Sequence, residues 1–280
     1  MMRIAALAFF AFATAAAAAP PCTPVESLTL EPDWYGGMTV PVTVGGKQLS
    51  LLVDTGGVRS MLTGSAVADL NLAPRPIRNE RVTLYGGLQV THWVQVEGAG
   101  MPDQFWIMPD ARVPYALSGT LAPDFLSRYD VGFDFAHARM RLYASGSCPA
   151  ENAIPLKPDR SRHLIVTVML DGKPIDAMLD TGASRSDFSL ETARALFGAS
   201  LRERPAERAD CERGLATHAF HQISIGGVTI ADPDIVLVPD AIGGRPPGSP
   251  RLVLGMGVLR RLHLTVFYGR NRIAVARATP

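Results

Sequence analysis

The chain contains one short stretch twice: Leu51-Leu52-Val53-Asp54-Thr55-Gly56 and Ala177-Met178-Leu179-Asp180-Thr181-Gly182. The two copies lie 126 positions apart, and several neighbouring pairs agree at the same offset. These pairs are Gly46-Lys47 with Gly172-Lys173, Arg59-Ser60 with Arg185-Ser186, Thr63 with Ser189, and Thr91-His92 with Thr217-His218. Further along, residues 121–126 resemble residues 254–259 at an offset of 133. The sequence therefore predicts two similar structural units, the second longer by about seven residues.

The repeated Asp-Thr-Gly is the most informative part of this duplication. A single copy is expected by chance in roughly one chain in twenty of this length, given average composition. One copy alone would be interpreted as an ordinary turn after a strand. Two copies at equivalent positions, each after an apolar run, indicate a paired site with Asp54 and Asp180 as its candidate residues.

Short β-branched and aromatic runs separated by glycine-rich turns make up most of the chain. Only two segments have a helical pattern, residues 66–72 and residues 190–197, the second with Ser189 as its cap and Gly198 at its end. We therefore predict an all-β protein with few short helices. The predicted strands are 40–44, 49–53, 82–85, 88–96, 164–170, 175–179, 218–225 and 228–238.

The first residues have the pattern of an export signal. Residues 1–3 carry one positive charge, residues 4–14 are almost wholly apolar, and residues 15–19 are small. The apolar run is shorter than the roughly 20 residues needed to cross a bilayer, so a cleaved signal peptide over residues 1–18 is favoured over a permanent membrane span. Prolines between 149 and 158 predict a boundary between an N-terminal lobe, 22–148, and a C-terminal lobe, 149–280.

Charge and cysteine content limit the possible partners. Without Arg3 the chain has 26 basic and 26 acidic side chains, so it lacks the basic field expected for nucleic-acid binding. Three cysteines remain, at positions 22, 148 and 211. An oxidising compartment permits one disulfide among them and leaves one thiol.

The paired motif has the groups needed to hydrolyse a peptide bond without a metal or another cofactor. Gly56 and Gly182 let the backbone fold closely around each carboxylate. The hydroxyl groups of Thr55 and Thr181 can bond to the opposite loop and fix both loops. Carboxyl groups held about 3 Å apart share one proton, so one can activate a water molecule while the other polarises the scissile carbonyl.

At these residues the chain resembles the pepsin and retropepsin clan of aspartic peptidases, and most of all bacterial exported proteins with two fused retropepsin-like units. The resemblance covers residues 39–275. It implies the bilobal acid-protease fold, with two β-barrel-like lobes related by a pseudo-two-fold axis and a peptide or protein substrate bound between them. A monomer is implied because both catalytic loops are in one chain. The bacterial resemblance also implies a periplasmic or secreted location.

The resemblance assigns further elements of the site. Leu252-Val253-Leu254-Gly255 fits the second apolar strand that ends near the catalytic loop. Gly119-Thr120-Leu121-Ala122 fits it with Ala122 where glycine is usual, and we expect this small residue to be tolerated. A flap should close over the substrate, with Tyr85, Gly86 and Gly87 at its tip.

Two more expectations follow from the resemblance. The ends of a retropepsin unit lie together, which implies a Cys22–Cys148 disulfide and leaves Cys211 as the free thiol. Gly57 and Ala183 stand where pepsin-like enzymes usually have serine or threonine. The loss of that hydrogen bond raises the pKa of a carboxylate, so we expect a working pH less acidic than that of a stomach enzyme.

The sequence also admits three other interpretations. A peptide-binding module that has lost turnover is the main alternative, although both Asp-Thr-Gly motifs are intact. Glycoside hydrolysis needs carboxylates at least about 5 Å apart in distinct surroundings, which the near-identical motifs argue against. Zinc binding by His218, His221 and Cys211 is disfavoured because residues three apart on a strand point to opposite faces.

Overall fold

The computed structural model describes residues 22–33, 36–78, 82–83, 89–96, 103–108, 117–206, 215–243 and 249–279. Their strands form sheets of six, eight and nine strands and one two-stranded ribbon. The sheets curl into half-barrels, and the helices are few and short. The predicted all-β, bilobal fold class is confirmed.

The first half of the chain contributes thirteen strands and two helices to the described residues. In chain order they are β1 (Glu26–Thr29), β2 (Glu31–Pro32), β3 (Met38–Val44), β4 (Lys47–Val53), β5 (Met61–Thr63), α1 (Gly64–Asp69), β6 (Arg75–Pro76), β7 (Val82–Thr83), β8 (Gln89–Val90), β9 (His92–Gln95), β10 (Gln104–Met108), β11 (Gly119–Leu121), α2 (Pro123–Leu126), β12 (Tyr129–Asp134) and β13 (Arg139–Ala144).

The second half contributes twelve strands and three helices to the described residues. In chain order they are β14 (Ile154–Pro155), β15 (Leu164–Leu170), β16 (Lys173–Leu179), β17 (Ser186–Ser189), α3 (Leu190–Phe197), β18 (Arg204–Pro205), β19 (Ala216–Thr217), β20 (Gln222–Ile225), β21 (Val228–Ala231), β22 (Ile235–Val238), α4 (Asp240–Gly243), β23 (Leu252–Leu254), α5 (Met256–Leu259), β24 (Leu262–Phe267) and β25 (Arg272–Arg277).

The eight-stranded and nine-stranded sheets repeat one topology. The first has the order β2-β3-β4-β11-β5-β10-β9-β6, and the second has the order β18-β19-β22-β17-β23-β16-β15-β20-β21. The part of the first order that runs from β3 to β6 matches the part of the second order from β15 to β18 when the second order is read from right to left. In each sheet the strand before Asp-Thr-Gly, β4 or β16, pairs in parallel with β11 or β23. The duplication seen in the sequence is therefore a duplication of strand order.

The six-stranded sheet joins the two halves. Its order is β1-β13-β12-β24-β25-β14, and its central pair, β12 and β24, is antiparallel. Gly132 lies directly opposite Thr265, and these residues are also equivalent at the offset of 133 found in the sequence. Each half therefore presents the same residue position to the other, which places the pseudo-two-fold axis between Gly132 and Thr265.

Strands β4 and β16 show the alternation that sets the direction of the aspartates. Leu49, Leu51 and Val53 are buried on β4. Ile175, Ala177 and Leu179 occupy the same positions on β16, which has the same burial pattern. Successive strand residues point to opposite faces, so the residue after Val53 or Leu179 turns away from the core of its lobe. Those residues are Asp54 and Asp180.

The helix boundaries follow their caps. Helix α3 spans the predicted residues 190–197, and the Ser189 hydroxyl accepts a hydrogen bond from the Thr192 amide at 3.1 Å. Helix α1 begins at Gly64, earlier than predicted, because the Thr63 hydroxyl accepts a hydrogen bond from the Ala66 amide at 3.1 Å. The repeated Thr63 and Ser189 are thus equivalent N-caps.

Two predicted strands in the second half differ from the structure. The strand expected from residue 218 begins at Gln222. The strand expected over residues 228–238 is broken into β21 and β22, because Asp232 has a left-handed φ of 47° and Pro233, which follows it, has no amide hydrogen to donate. In the first half, Gly45 and Gly46 form the turn between β3 and β4, with φ values of 56° and 77°.

The predicted Cys22–Cys148 disulfide is present, with the two Cα atoms 5.0 Å apart. It joins the segment before β1 to the segment after β13, two strands that pair with each other. The disulfide packs against Ala153 and Phe267 of the second half. No helix within the described residues is both long and apolar enough to span a membrane.

Candidate active site

The two Asp-Thr-Gly loops lie at the ends of equivalent parallel strand pairs. The amide of Asp54 donates to the carbonyl oxygen of Leu121 at 2.9 Å, and the amide of Asp180 donates to that of Leu254 at 2.9 Å. Each aspartate is therefore held at its backbone by the last residue of β11 or β23. Because these strands belong to rigid sheets, both carboxyl groups have defined positions.

The threonines join the two loops, as the sequence predicted. The hydroxyl of Thr55 donates to the carbonyl oxygen of Leu179 at 2.8 Å, and that of Thr181 donates to the carbonyl oxygen of Val53 at 2.6 Å. Both threonines are fully buried. Hydrogen bonds between buried groups are costly to leave unmade, so the two loops form one structural unit.

The glycines let the carboxyl groups approach the opposite loop. A Cβ atom on Gly56 would lie 2.3 Å from Cγ of Asp180, and one on Gly182 would lie 2.5 Å from Oδ1 of Asp54. Their amides also bind the carboxyl groups of their own loops: Gly56 donates to Asp54 Oδ1 at 3.1 Å, and Gly182 donates to Asp180 Oδ1 at 2.8 Å. Any side chain at either position would separate the pair.

The electrostatics of Asp54 and Asp180 are those of a coupled pair. Their carboxyl groups approach the same point, because the Cβ position of Gly182 lies 2.5 Å from Asp54 Oδ1 and 3.2 Å from Asp180 Oδ1. Burial, and then repulsion by Asp180, raises the pKa of Asp54 to about 8. Burial also raises the pKa of Asp180, opposed by hydrogen bonds from the amides of Gly182 and Ala183 and from Asp54. The pair as a whole therefore keeps one proton well above the usual pKa range of an aspartate.

A second pair of hydroxyl groups, which the sequence matched without giving it a role, supports the loops. Ser60 Oγ accepts a hydrogen bond from the Ala122 amide at 3.0 Å, and Ser186 Oγ accepts one from the Gly255 amide at 3.1 Å. Both serines are fully buried. In the first half the Ser60 hydroxyl donates to Asp124 Oδ1 at 2.7 Å, so this carboxylate positions the loop.

A small-residue exchange explains why Ala122 replaces the usual glycine. A Cβ on Gly57 would lie 3.1 Å from the Cβ of Ala122 and 2.8 Å from Oδ2 of Asp54. In the second half the residues are reversed: Ala183 carries the methyl group, and Gly255 has none. A Cβ on Gly255 would lie 2.2 Å from the carbonyl oxygen of Arg185 and 2.5 Å from that of Ala183, so backbone atoms require glycine there. The first half therefore has little space for a second methyl group beside that of Ala122.

The predicted flap and the candidate zinc ligands are the remaining parts of the predicted site. Tyr85, Gly86 and Gly87 of the predicted flap lie outside the described residues, as do Cys211 and the predicted signal segment. His218 and His221 hydrogen-bond to other groups: the Arg202 amide donates to Nδ1 of His218 at 3.0 Å, and His221 Nδ1 lies 3.3 Å from an oxygen of Asp171. Within the described ranges no cluster of three or more metal-binding side chains is found.

Comparison with known proteins agrees with this geometry. A model of an aspartyl protease family matches residues 40–110 and 166–258, more than half of the chain. The chain belongs to this family. The two matched segments contain Asp54 and Asp180, one in each.

Solved structures share the fold at low identity. The basic 7S globulin from soybean is 11% identical with a TM-score of 0.55, and the match covers 91% of this chain and 97% of the globulin. Conglutin gamma, a basic 7S globulin from lupine seeds, is 10% identical with a TM-score of 0.52, and the match covers 90% and 94% of the two chains. At these identities the likeness shows the fold alone. No curated sequence matches this chain.

Proposed function

We propose that this protein is an aspartic endopeptidase that hydrolyses peptide bonds with a water molecule activated by Asp54 and Asp180. The observation that carries the proposal is the close approach of the two carboxyl groups on equivalent, cross-linked loops of a duplicated fold. Membership of an aspartyl protease family supports it. A pair with one proton at near-neutral pH has both an acid and a base for this reaction.

Within this proposal we assign the acid role to Asp54, whose pKa is raised to about 8, and the base role to Asp180. Asp180 accepts a proton from water as the water oxygen bonds to the scissile carbonyl carbon, while Asp54 gives its proton to the carbonyl oxygen. The tetrahedral diol then returns one hydroxyl proton to Asp54 as the carbon–nitrogen bond breaks, and Asp180 passes its proton to the leaving nitrogen. Both carboxyl groups end in their starting states, and this route requires neither a covalent intermediate nor a metal.

We further propose an extended peptide or an unfolded protein as substrate. The pair lies where the two half-barrels meet, and an extended chain can bind there through main-chain hydrogen bonds. The site is complete within one chain, which supports a monomer as the working form.

An exported location, periplasmic or secreted, belongs to the same proposal. The Cys22–Cys148 disulfide supports it, because disulfides persist in oxidising compartments. The apolar, small-residue pattern of residues 1–19 agrees with it.

The test is digestion of an unfolded protein by the wild type, Asp54→Asn and Asp180→Asn across a range of pH. Asp232→Asn is the matched control, because Asp232 is exposed and has a left-handed φ of 47° that asparagine also adopts. We expect cleavage by the wild type and the control and a loss of at least about 1,000-fold in kcat/KM for either site variant, since the pair acts as a unit.

Mass spectrometry of the products separates the outcomes. New termini at internal peptide bonds support an endopeptidase. Binding of the unfolded protein by the wild type without cleavage at any pH would instead support the peptide-binding module, and equal cleavage by all four proteins would indicate a contaminating protease.

A further inference from the structure

One row of side chains crosses the eight-stranded sheet on the same face as Asp54. Leu52 lies two residues before Asp54, and residues two apart on a strand point to the same side of the sheet. The core of the first half lies on the other face, where Leu51 and Val53 are buried. From Leu52 the strand registers continue the row through Thr120 on β11, Met61 on β5, Trp106 on β10, Trp93 on β9 and Arg75 on β6.

The two tryptophans are adjacent in this row and keep part of their surface exposed. Trp106 and Trp93 are half-buried, whereas Met61 beside Trp106 is buried. Phe105 and Val94, their neighbours in sequence, point into the core and are fully buried. The indole rings are therefore anchored on a rigid sheet but remain open to contact on the face that carries Asp54.

Two arginines orient these rings. Cζ of Arg59 lies 5.9 Å from the ring centre of Trp106, and Cζ of Arg75 lies 5.1 Å from that of Trp93. A guanidinium group over an aromatic ring is attracted by the negative ring face, so each indole has a preferred orientation. Arg59 belongs to the loop that follows Asp54, and it connects the first ring to that loop.

The second half has an equivalent row without the aromatic surface. Its registers run from Met178 through Val253, Asp187, Val236 and Thr217 to Arg204. Val236 and Thr217 occupy the positions of Trp106 and Trp93. The two halves therefore offer different surfaces to an extended chain that binds across the aspartate pair.

The length of the row separates the tryptophans from the reacting atoms. Trp106 is three strands from Leu52, and neighbouring strands are about 4.8 Å apart, so the two residues are about 14 Å apart along the row. An extended peptide advances about 3.3 Å per residue, so a side chain that contacts Trp106 lies about two or more residues from the scissile bond. The tryptophans can thus affect the choice of substrate without taking part in the chemistry.

We propose that Trp106 and Trp93 determine substrate specificity by binding a large aromatic side chain on one side of the scissile bond. This inference rests on the proposed function and states which unfolded segments are cleaved. Aromatic rings attract each other beyond the effect of their buried area. Because Arg59 and Arg75 already order the indole rings, the rings lose little freedom when a substrate binds.

Cleavage of a library of unfolded peptides, read by mass spectrometry, tests the proposal. The variant Trp93→Thr/Trp106→Val gives the first half the residues that the second half has at these positions. His92→Thr is the matched control, because His92 is exposed beside Trp93 and points to the opposite face. Circular dichroism establishes that each variant is folded.

We expect the wild type to prefer an aromatic residue over alanine by about tenfold or more in kcat/KM, at a position on one side of the bond only. The preference should fall to within about threefold in the double variant, and it should stay within about twofold of the wild type in His92→Thr.

Peptide binding to the Asp54→Asn chain separates this inference from the proposed function. Fluorescence anisotropy compares labelled peptides that differ only by phenylalanine or alanine at one position, which is moved along the peptide. We expect tighter binding of the phenylalanine peptide by about tenfold, lost when the double substitution is added. If this holds and the wild type cleaves no peptide, the proposed function fails and the inference stands. Cleavage or binding without an aromatic preference, a preference for acidic residues instead, or an unchanged preference in the double variant would each overturn the inference.

Discussion

Thr55 and Thr181 bind each other directly: the amide of each donates to the hydroxyl oxygen of the other, at 3.1 Å and 3.0 Å. Each hydroxyl then donates to the strand that ends at the opposite aspartate. Four hydrogen bonds therefore connect the loops of Asp54 and Asp180. These bonds fix the positions of the two loops, and so of the two carboxyl groups, relative to each other.

Replacing Thr181 with valine tests this connection. The valine keeps the shape but removes the acceptor for the Thr55 amide and the donor to the Val53 carbonyl, both buried. We expect Thr181→Val to lower the free energy of unfolding by about 2–4 kcal/mol, since each unpaired buried group costs about 1–3 kcal/mol. Urea unfolding measures the loss.

The matched control for this experiment is Thr181→Ser, which keeps the hydroxyl. We expect it to stay within about 1 kcal/mol of the wild type. Peptidase activity should fall at least about tenfold in the valine variant and little in the serine variant. Equal stability of the two variants would show that the cross-loop bonds do not hold the pair.

Because a Cβ at position 57 would contact the Cβ of Ala122, we expect the effects of mutations at these two positions on stability to be coupled. Gly57→Ala brings a Cβ within 3.1 Å of the Ala122 Cβ, so it should destabilise the chain by about 1–3 kcal/mol. Adding Ala122→Gly removes that contact. We expect the double variant to be more stable than the sum of the single effects, with a coupling energy of at least about 0.5 kcal/mol in a double-mutant cycle. Strict additivity would contradict the account.

The raised pKa of Asp54 predicts that this residue destabilises the folded chain at neutral pH. A folded-state pKa of about 8, against an ordinary value of 3.8, means that the folded chain holds the proton longer than the unfolded chain. The free energy of unfolding therefore falls as pH rises from about 4 to about 8. Asp54→Asn removes this loss, because asparagine does not ionise.

We accordingly expect Asp54→Asn to be inactive but more stable than the wild type at pH 8, by at least about 1 kcal/mol or about 2–4 °C in melting temperature. The difference should disappear near pH 3, where the wild-type residue is protonated in both states. Asp232→Asn should show no such gain. A variant less stable than the wild type at pH 8 would count against the shared proton.

The disulfide leads to a prediction that concerns stability and not catalysis. Cys148→Ser with Cys22→Ser frees a loop of the first half, and we expect a loss of about 2–5 kcal/mol in the free energy of unfolding. Thiol counting should find one free thiol in the native chain and three after reduction, since the sequence has three cysteines. A mapped peptide that links Cys211 to either of the others would contradict the assignment.

Most of the strands near the site could be predicted because the internal repeat and the alternation of apolar and polar residues coincide there. In β4 and β16 the buried positions alternate in the same way, and the aspartates follow at the same offset. The cross-loop role of the threonines could also be predicted, because the hydroxyl groups recur at symmetric positions. The Cys22–Cys148 disulfide was predicted from the resemblance to a retropepsin unit, whose two ends lie together.

Other features depend on contacts that a repeat does not reveal. The match of Thr91-His92 with Thr217-His218 does not hold in space: His92 lies opposite Pro76, and its counterpart opposite Pro205 is Ala216. Insertions and deletions between the strands shift the register by two residues there. The ion pair of His163 with Asp159 is also unsymmetrical, because Gly37 occupies the position equivalent to His163 in the first half.

The most direct test of the central claim is a titration of the Asp54 carboxyl carbon by NMR, in protein labelled with ¹³C at aspartate. The Asp54 resonance is assigned by its absence from the spectrum of Asp54→Asn. The shared proton predicts that Asp54 remains protonated at pH 7 and titrates near pH 8, and that Asp180→Asn lowers this midpoint by removing the neighbouring charge. An Asp54 midpoint near pH 4, unchanged in Asp180→Asn, would contradict the claim that the two carboxyl groups hold one proton between them.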